Sequence, residues 1–143
     1  MWKETWKSLT NALKDWKTQP EQTPTLNLKY FKLSEFKCRC CGSTIMKEDF
    51  LRKLDRARGI AKIPFTVLSG YRCEKHNKAI GALPTSSHIK GCAADIHCVD
   101  SADRYRIMIS CMACGIKRIG IYRTFIHVDT DAGKPSRLIW YGE

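Results

Sequence analysis

His88 and Asp95, with Gly91 between them, and the later triplet His127, Val128, Asp129 supply imidazole and carboxylate groups of the kind that hold a divalent metal. On a continuous helix the seven-residue step from His88 to Asp95 would leave the attachment points about 10 Å apart, too far for bonds of ~2 Å to one ion. A turn must bring them together. Gly91 lets the chain fold back, and Ala93 and Ala94 leave space around Asp95. If 93–97 and 125–129 are strands, alternate side chains share a face. Asp95 then lies with Ala93 and His97, while Cys92, Ala94, Ile96 and Cys98 turn toward a core. His127 lies with Phe125 and Asp129, opposite Ile126 and Val128. The two polar faces can converge on one ion. Two histidines, a carboxylate and an open position suit catalytic zinc, which lowers the pKa of bound water to about 7 and so supports hydrolysis. Non-haem Fe(II) oxygenases use the same donor types, but they need a distal histidine downstream, and the 14 residues after Asp129 contain none.

These residues need a frame of strands and helices. Phe65–Ser69, Ala93–His97, Lys117–Tyr122, Phe125–Asp129 and Leu138–Tyr141 read as strands. A helix is expected from about Lys47 to Arg58, with Phe50, Leu51 and Leu54 inward and Gly59 as its stop. Another is expected from Ser101 to Cys114, stopped by Gly115. The pattern predicts an α+β domain with a small, mainly antiparallel sheet and flanking helices. Ahead of it, Trp2, Trp6, Leu9, Leu13 and Trp16 form one apolar stripe, so residues 1–17 read as an amphipathic helix that docks on its own domain, a partner protein or a membrane surface. Residues 18–29, with Pro20 and Pro24, read as a linker, leaving 30–143 as the main domain.

The 143 residues suit one such domain, and no apolar stretch approaches the ~20 residues of a membrane span. The charge of +11 favours an anionic partner; residues 1–29 hold five lysines and three acids, which leaves +9 on the main domain. Nothing combines zinc-finger spacing with base-reading positions, so nucleic acid is not the expected partner. The first twenty residues lack the pattern of an export signal. Synthesis in a reducing cytoplasm is expected, with the eight cysteines as thiols or metal ligands rather than a disulfide scaffold.

Phe31-Lys32-Leu33-Ser34-Glu35-Phe36, Ser69-Gly70-Tyr71-Arg72, His76-Asn77, the SxHxxGxAxD pattern from Ser86 to Asp95, Phe125-Ile126-His127-Val128-Asp129 and Trp140 together resemble a known family. It is the M15 metallopeptidase group of zinc D,D-carboxypeptidases and L-alanyl-D-glutamate endopeptidases, which share a fold with the hedgehog signalling domain. The resemblance spans roughly Phe31 to Tyr141. It implies a hedgehog/DD-peptidase-like fold, one catalytic Zn2+ on His88, Asp95 and His127, and Arg72 as the cation facing the substrate. It also implies that Ser86 hydrogen-bonds substrate, although Ser86 equally suits a turn cap. Tyr122 is a further residue expected to shape the substrate pocket. Small members of this kind resemble phage lysis or virion-associated enzymes, so the implied substrate is bacterial peptidoglycan and the implied state a monomer, acting on the wall after release or within a virion.

One position departs from the pattern. Several members carry Glu or Asp three residues before the last histidine as general base, and Thr124 stands there. Asp129 is then the substitute base or a partner that orients a ligand. A non-catalytic wall- or protein-binding domain of the same fold is the alternative that Thr124 leaves open. Cys38, Cys40, Cys41 and Cys73 could together hold a second, structural Zn2+, against disulfide pairing or buried thiols. Cys111 and Cys114 fall in a helical pattern and read as packing, and His76 and His97 read as structural.

Overall fold

Ala94, Ile96, Ile126 and Val128 alternate with polar or small neighbours, and burying that apolar row requires a cover on one side of a sheet. The structure, a computed structural model, describes residues 26–143. The helix expected over 1–17, and the linker as far as residue 25, lie outside the described residues. The cover is formed by helices α1 (Glu48–Ala61) and α3 (Ser101–Ala113), which pack on each other and on the sheet. Between them in sequence lie strand β1 (Val67–Ser69), the short helix α2 (Glu74–Ala79) and β2 (Ala93–His97); β3 (Arg118–Ile121), β4 (Phe125–Asp129) and β5 (Leu138–Tyr141) follow. The sheet order is β1-β2-β4-β3-β5, and every pairing is antiparallel except β3 with β5. The α+β architecture and the mainly antiparallel sheet are thus as the sequence predicts.

Phe50, Leu51 and Leu54 of α1, Ile107 and Cys111 of α3 and the apolar row of β2 and β4 are buried in one core. Cys92 and Cys98 join it, as strand parity requires. Leu26 and Leu28 also pack against this core, and the backbone N–H groups of Lys29, Tyr30 and Phe31 donate to the Asp55 carboxylate at 2.8–3.2 Å. Gly59 does not stop α1. The helix continues to Ala61 and ends on Lys62 in the left-handed region, φ 55°. Gly59 instead admits the Tyr30 ring, which would stand 2.8 Å from a Cβ at that position. The expected stop at Gly115 does follow α3, with φ +86°. Opposite the helices, the polar face of β2 and β4 is left for the site.

Candidate functional site

The register pairs Asp95 of β2 with His127 of β4, so both side chains leave the sheet on the same face. On the other side of β2, an irregularity between Val67 and Ser69 sets Ser69 beside Asp95 and turns the chain into Gly70, Tyr71 and Arg72. His88 comes from the turns that precede β2. Its N–H donates to Ser86 Oγ at 3.3 Å, and the Gly91 N–H donates to its carbonyl at 3.3 Å. Gly91 has φ +68°, and a Cβ there would lie 2.0 Å from the Ile45 carbonyl oxygen, so both handedness and space require glycine. The turn expected between His88 and Asp95 is therefore present and is clamped to the segment before α1.

His88 is 2% exposed, with Nδ1 2.7 Å from the Gly70 carbonyl oxygen. A carbonyl only accepts, so Nδ1 carries the proton and Nε2 presents a lone pair. That Nε2 is buried 3.3 Å from Asp95 Oδ1 and makes no hydrogen bond among the described residues. A lone pair facing a carboxylate oxygen in a buried place calls for a cation between them. Asp95 Oδ1 also lies 2.9 Å from His127 Nδ1. Donor atoms of His88, Asp95 and His127 all fall within 4.8 Å of one another. Donors on a tetrahedral zinc with bonds of ~2 Å are spaced about 3.3 Å apart, so these residues fit such an ion.

His127 is held on its far side as well, with Nε2 2.9 Å from Asp129 Oδ2. Burial disfavours charge on this imidazole, but hydrogen bonds to Asp129 and Asp95 outweigh it and raise its pKa. A cation would displace the proton on Nδ1, while Asp129 retains the one on Nε2. Burial would raise the Asp95 carboxyl; the His127 hydrogen bond and the two imidazoles beside it hold it well below the usual range. Asp129 is 1% exposed and fully engaged: Oδ1 receives Arg118 Nε at 2.8 Å and the Asp131 N–H at 3.0 Å. Burial again works against ionisation, and the His127 and Asp131 hydrogen bonds with the Arg118 charge keep its pKa low.

Arg72 is buried beside these groups, its backbone N–H donating to the His88 carbonyl at 3.3 Å and its Nε without a partner among the described residues. Desolvation lowers its pKa, opposed by the charge of Asp95. Tyr122 stacks on Phe125 at 4.4 Å and accepts from Trp140 Nε1 at 3.4 Å. Arg72, Ser86, His88, Asp95, Tyr122, His127 and Asp129 all line one cleft of about 820 Å³. Thr124, immediately before β4, is exposed. No helix among the described residues is long and apolar enough to cross a membrane.

A family model described as Peptidase M15 matches residues 29–129. The chain belongs to the M15 peptidases. Membership makes it a peptidase, a hydrolase of peptide bonds, and the matched span contains Arg72, His88, Asp95 and His127. No curated protein matches this chain. The M15 match stops before β5 and Trp140, whose ring lies 5.7 Å from that of His127 and 5.2 Å from the Arg118 guanidinium. Arg118 and the Gly70 carbonyl are the parts of this M15 site that sequence reasoning missed. Arg118 sits opposite Asp129 in the β3–β4 register, a pairing that no local pattern encodes. The Gly70 carbonyl carries no side-chain signal at all.

Two clusters among the described residues can hold a metal. One is the cleft trio; the other is Cys38, Cys41 and Cys73, without Cys40. Cys111 is buried in the core and Cys114 packs against it.

Proposed function

We propose that this M15 peptidase hydrolyses an amide bond in the stem peptides of bacterial peptidoglycan, as a D,D-carboxypeptidase or an L-alanyl-D-glutamate endopeptidase, using one zinc ion on His88, Asp95 and His127. The observation that carries this reading is the buried His88 Nε2 facing Asp95 and His127 in an open cleft that also contains Arg72 Nε, both without a hydrogen-bond partner among the described residues. Zinc held there supplies Lewis-acid activation of water and of the substrate carbonyl.

The chain's own residues do the rest. The Gly70 carbonyl and Asp129 each hold a ring proton on the far side of a histidine, which leaves His88 Nε2 and His127 Nδ1 as the metal-facing atoms. Asp129 has both oxygens occupied and is buried, so it acts on His127 rather than on substrate; it is a positioning residue. Arg72 faces the cleft as a desolvated cation and stabilises the negative charge that develops on the attacked carbonyl oxygen, an interaction typically worth ~3–4 kcal/mol. Ser86 uses its acceptor on the His88 N–H and keeps its hydroxyl proton for substrate. Tyr122, braced by Phe125 and Trp140, forms a wall of the cleft. The +9 charge of residues 30–143 suits a carboxylate-rich wall polymer. A monomer acting on the wall after release from the cytoplasm, or within a virion, in phage lysis or entry, is the setting we propose from the resemblance to small lytic members.

Thr124 favours a second reading, a non-catalytic binder of the same fold, because no acid stands at that position. Mass spectrometry of purified muropeptides incubated with the protein separates the two. Cleavage that a chelator stops, zinc restores and His88→Ala abolishes is the expected result, and the product masses name the bond. Tight zinc binding with intact muropeptides would leave the binder.

A further inference from the structure

Cys38-x-x-Cys41 and Cys73-x-x-His76 are two pairs at metal-ligand spacing that the hydrolytic cleft does not use. The first pair lies on a tight loop after the 3-10 turn Leu33–Phe36. The Gly42 N–H donates to the Cys38 carbonyl at 2.8 Å, the Cys38 N–H donates to the Ser43 carbonyl at 2.8 Å, and Gly42 takes φ +73° to close the loop. The second pair opens α2, with the His76 N–H donating to Cys73 Sγ at 3.4 Å. The fold brings the pairs together across 35 residues.

The distances around Cys38 match a thiolate–imidazole site. Cys38 Sγ lies 3.7 Å from Cys73 Sγ and 3.4 Å from His76 Nδ1, and the sulfurs of Cys38, Cys41 and Cys73 fall within 4.8 Å of one another. Bonds of ~2.3 Å to sulfur and ~2.0 Å to nitrogen on a tetrahedral zinc give edges of about 3.8 Å between sulfurs and about 3.5 Å between sulfur and nitrogen. The backbone also prepares Cys38 as a thiolate, since the Cys73 N–H points at its sulfur at 3.5 Å. Cys40, which is exposed, and His76 both stand outside the group of three sulfurs, and His76 reaches it through Cys38 Sγ at 3.4 Å.

We propose that Cys38, Cys41, Cys73 and His76 bind a second, structural zinc ion that ties the loop after the 3-10 turn to the start of α2. The proposal keeps Cys38, Cys41 and Cys73 of the four-cysteine set expected from sequence and gives the fourth place to His76 rather than Cys40. The site does not depend on the peptidase reading. Where that reading holds, the clip also anchors Arg72, which immediately precedes Cys73.

Metal analysis of the purified full chain tests this, with cobalt as a spectroscopic stand-in. Two zinc ions per chain are expected in the wild type and one in His88→Ala. Cobalt-loaded His88→Ala should show thiolate-to-cobalt charge-transfer absorption, and chelation of its remaining zinc should lower the midpoint of thermal unfolding. Cys41→Ser, at an exposed position, should lose that absorption and one zinc while keeping its far-ultraviolet circular dichroism, whereas Cys40→Ser should keep both ions. Should Cys41→Ser fail to fold, an organomercurial added to the wild type should release one zinc of two. One zinc per chain with no charge-transfer band, or a Cys38–Cys73 disulfide in place of the second ion, would overturn the site. Loss of the second ion in Cys40→Ser but not in His76→Ala would overturn its fourth ligand. Either failure leaves muropeptide cleavage unaffected as a separate question.

Discussion

His127 is gripped from both sides, by Asp95 at Nδ1 and by Asp129 at Nε2, each at 2.9 Å. Asp129 is in turn saturated by Arg118 and the Asp131 N–H, so its effect on chemistry passes through the imidazole. Asp129→Asn should therefore weaken zinc binding about 10–100-fold, read by competition with a chromophoric chelator, while the metal-loaded fraction keeps most of its turnover. Unchanged zinc affinity with collapsed turnover would instead make Asp129 the base. Arg72→Met should behave in the opposite way. Its zinc content should match the wild type and kcat/KM for muropeptides should fall ~10²–10³-fold, since only the stabilisation of developing charge is removed. A wild-type kcat/KM would take Arg72 out of the reaction.

Between elements, the site depends on a turn clamped to a distant loop. Gly91→Ala places a Cβ 2.0 Å from a backbone oxygen at φ +68°, so the chain carrying His88 must shift. Thermal and urea unfolding should show a loss above about 3 kcal/mol, with zinc affinity falling as well. Gly81 provides the control. Its φ is +72° but a Cβ there meets nothing within 4 Å, so Gly81→Ala should cost only about 1 kcal/mol, the left-handed strain alone. Equal losses for the two variants would mean that the clash at Gly91 is relieved without cost. The elements themselves differ in how readable they are. Ala93–His97 and Phe125–Asp129 have the bounds that alternation predicts, because one face is buried along their whole length. Helix α2 has six residues and a single buried one, too short for any period to show.

Acid stability is set by a network on the whole molecule's polar side. Asp131 is buried, accepting from Ser87 Oγ at 2.8 Å, Lys90 Nζ at 2.8 Å and the Gly133 N–H at 3.0 Å. Burial pushes its carboxyl up, and the Lys90, Ser87 and Gly133 hydrogen bonds outweigh that and lower it from 3.8 to about 2. A carboxyl with a depressed folded pKa stabilises fully above its unfolded value and loses that contribution as pH falls through the folded one. The wild type should thus exceed Asp131→Asn in stability by about 1–2 kcal/mol at neutral pH, reduced from the full linkage value because Lys90 is partly solvated. The gap should narrow between about pH 4 and pH 2, followed by chemical unfolding at each pH. A gap constant across that window would show that ionisation of Asp131 contributes nothing.

The sequence by itself made His88, Asp95 and His127 candidate metal ligands, because they carry their chemistry in their side chains and parity defines the polar face of each strand. It likewise determined the α+β class, since hydrophobic periodicity is a local property of the chain. Only the tertiary structure decided which ring nitrogens face the cleft, because a bulge brings the Gly70 carbonyl to His88 and the β2–β4 register sets Asp95 at His127 Nδ1, leaving Nε2 to Asp129 on the same strand. Register also made Arg118 the partner of Asp129. Chain closure over 35 residues put Cys73 beside Cys38, and the first turn of α2 carried His76 in with it. Proximity between distant segments depends on how the whole core packs, and no window of sequence contains that information.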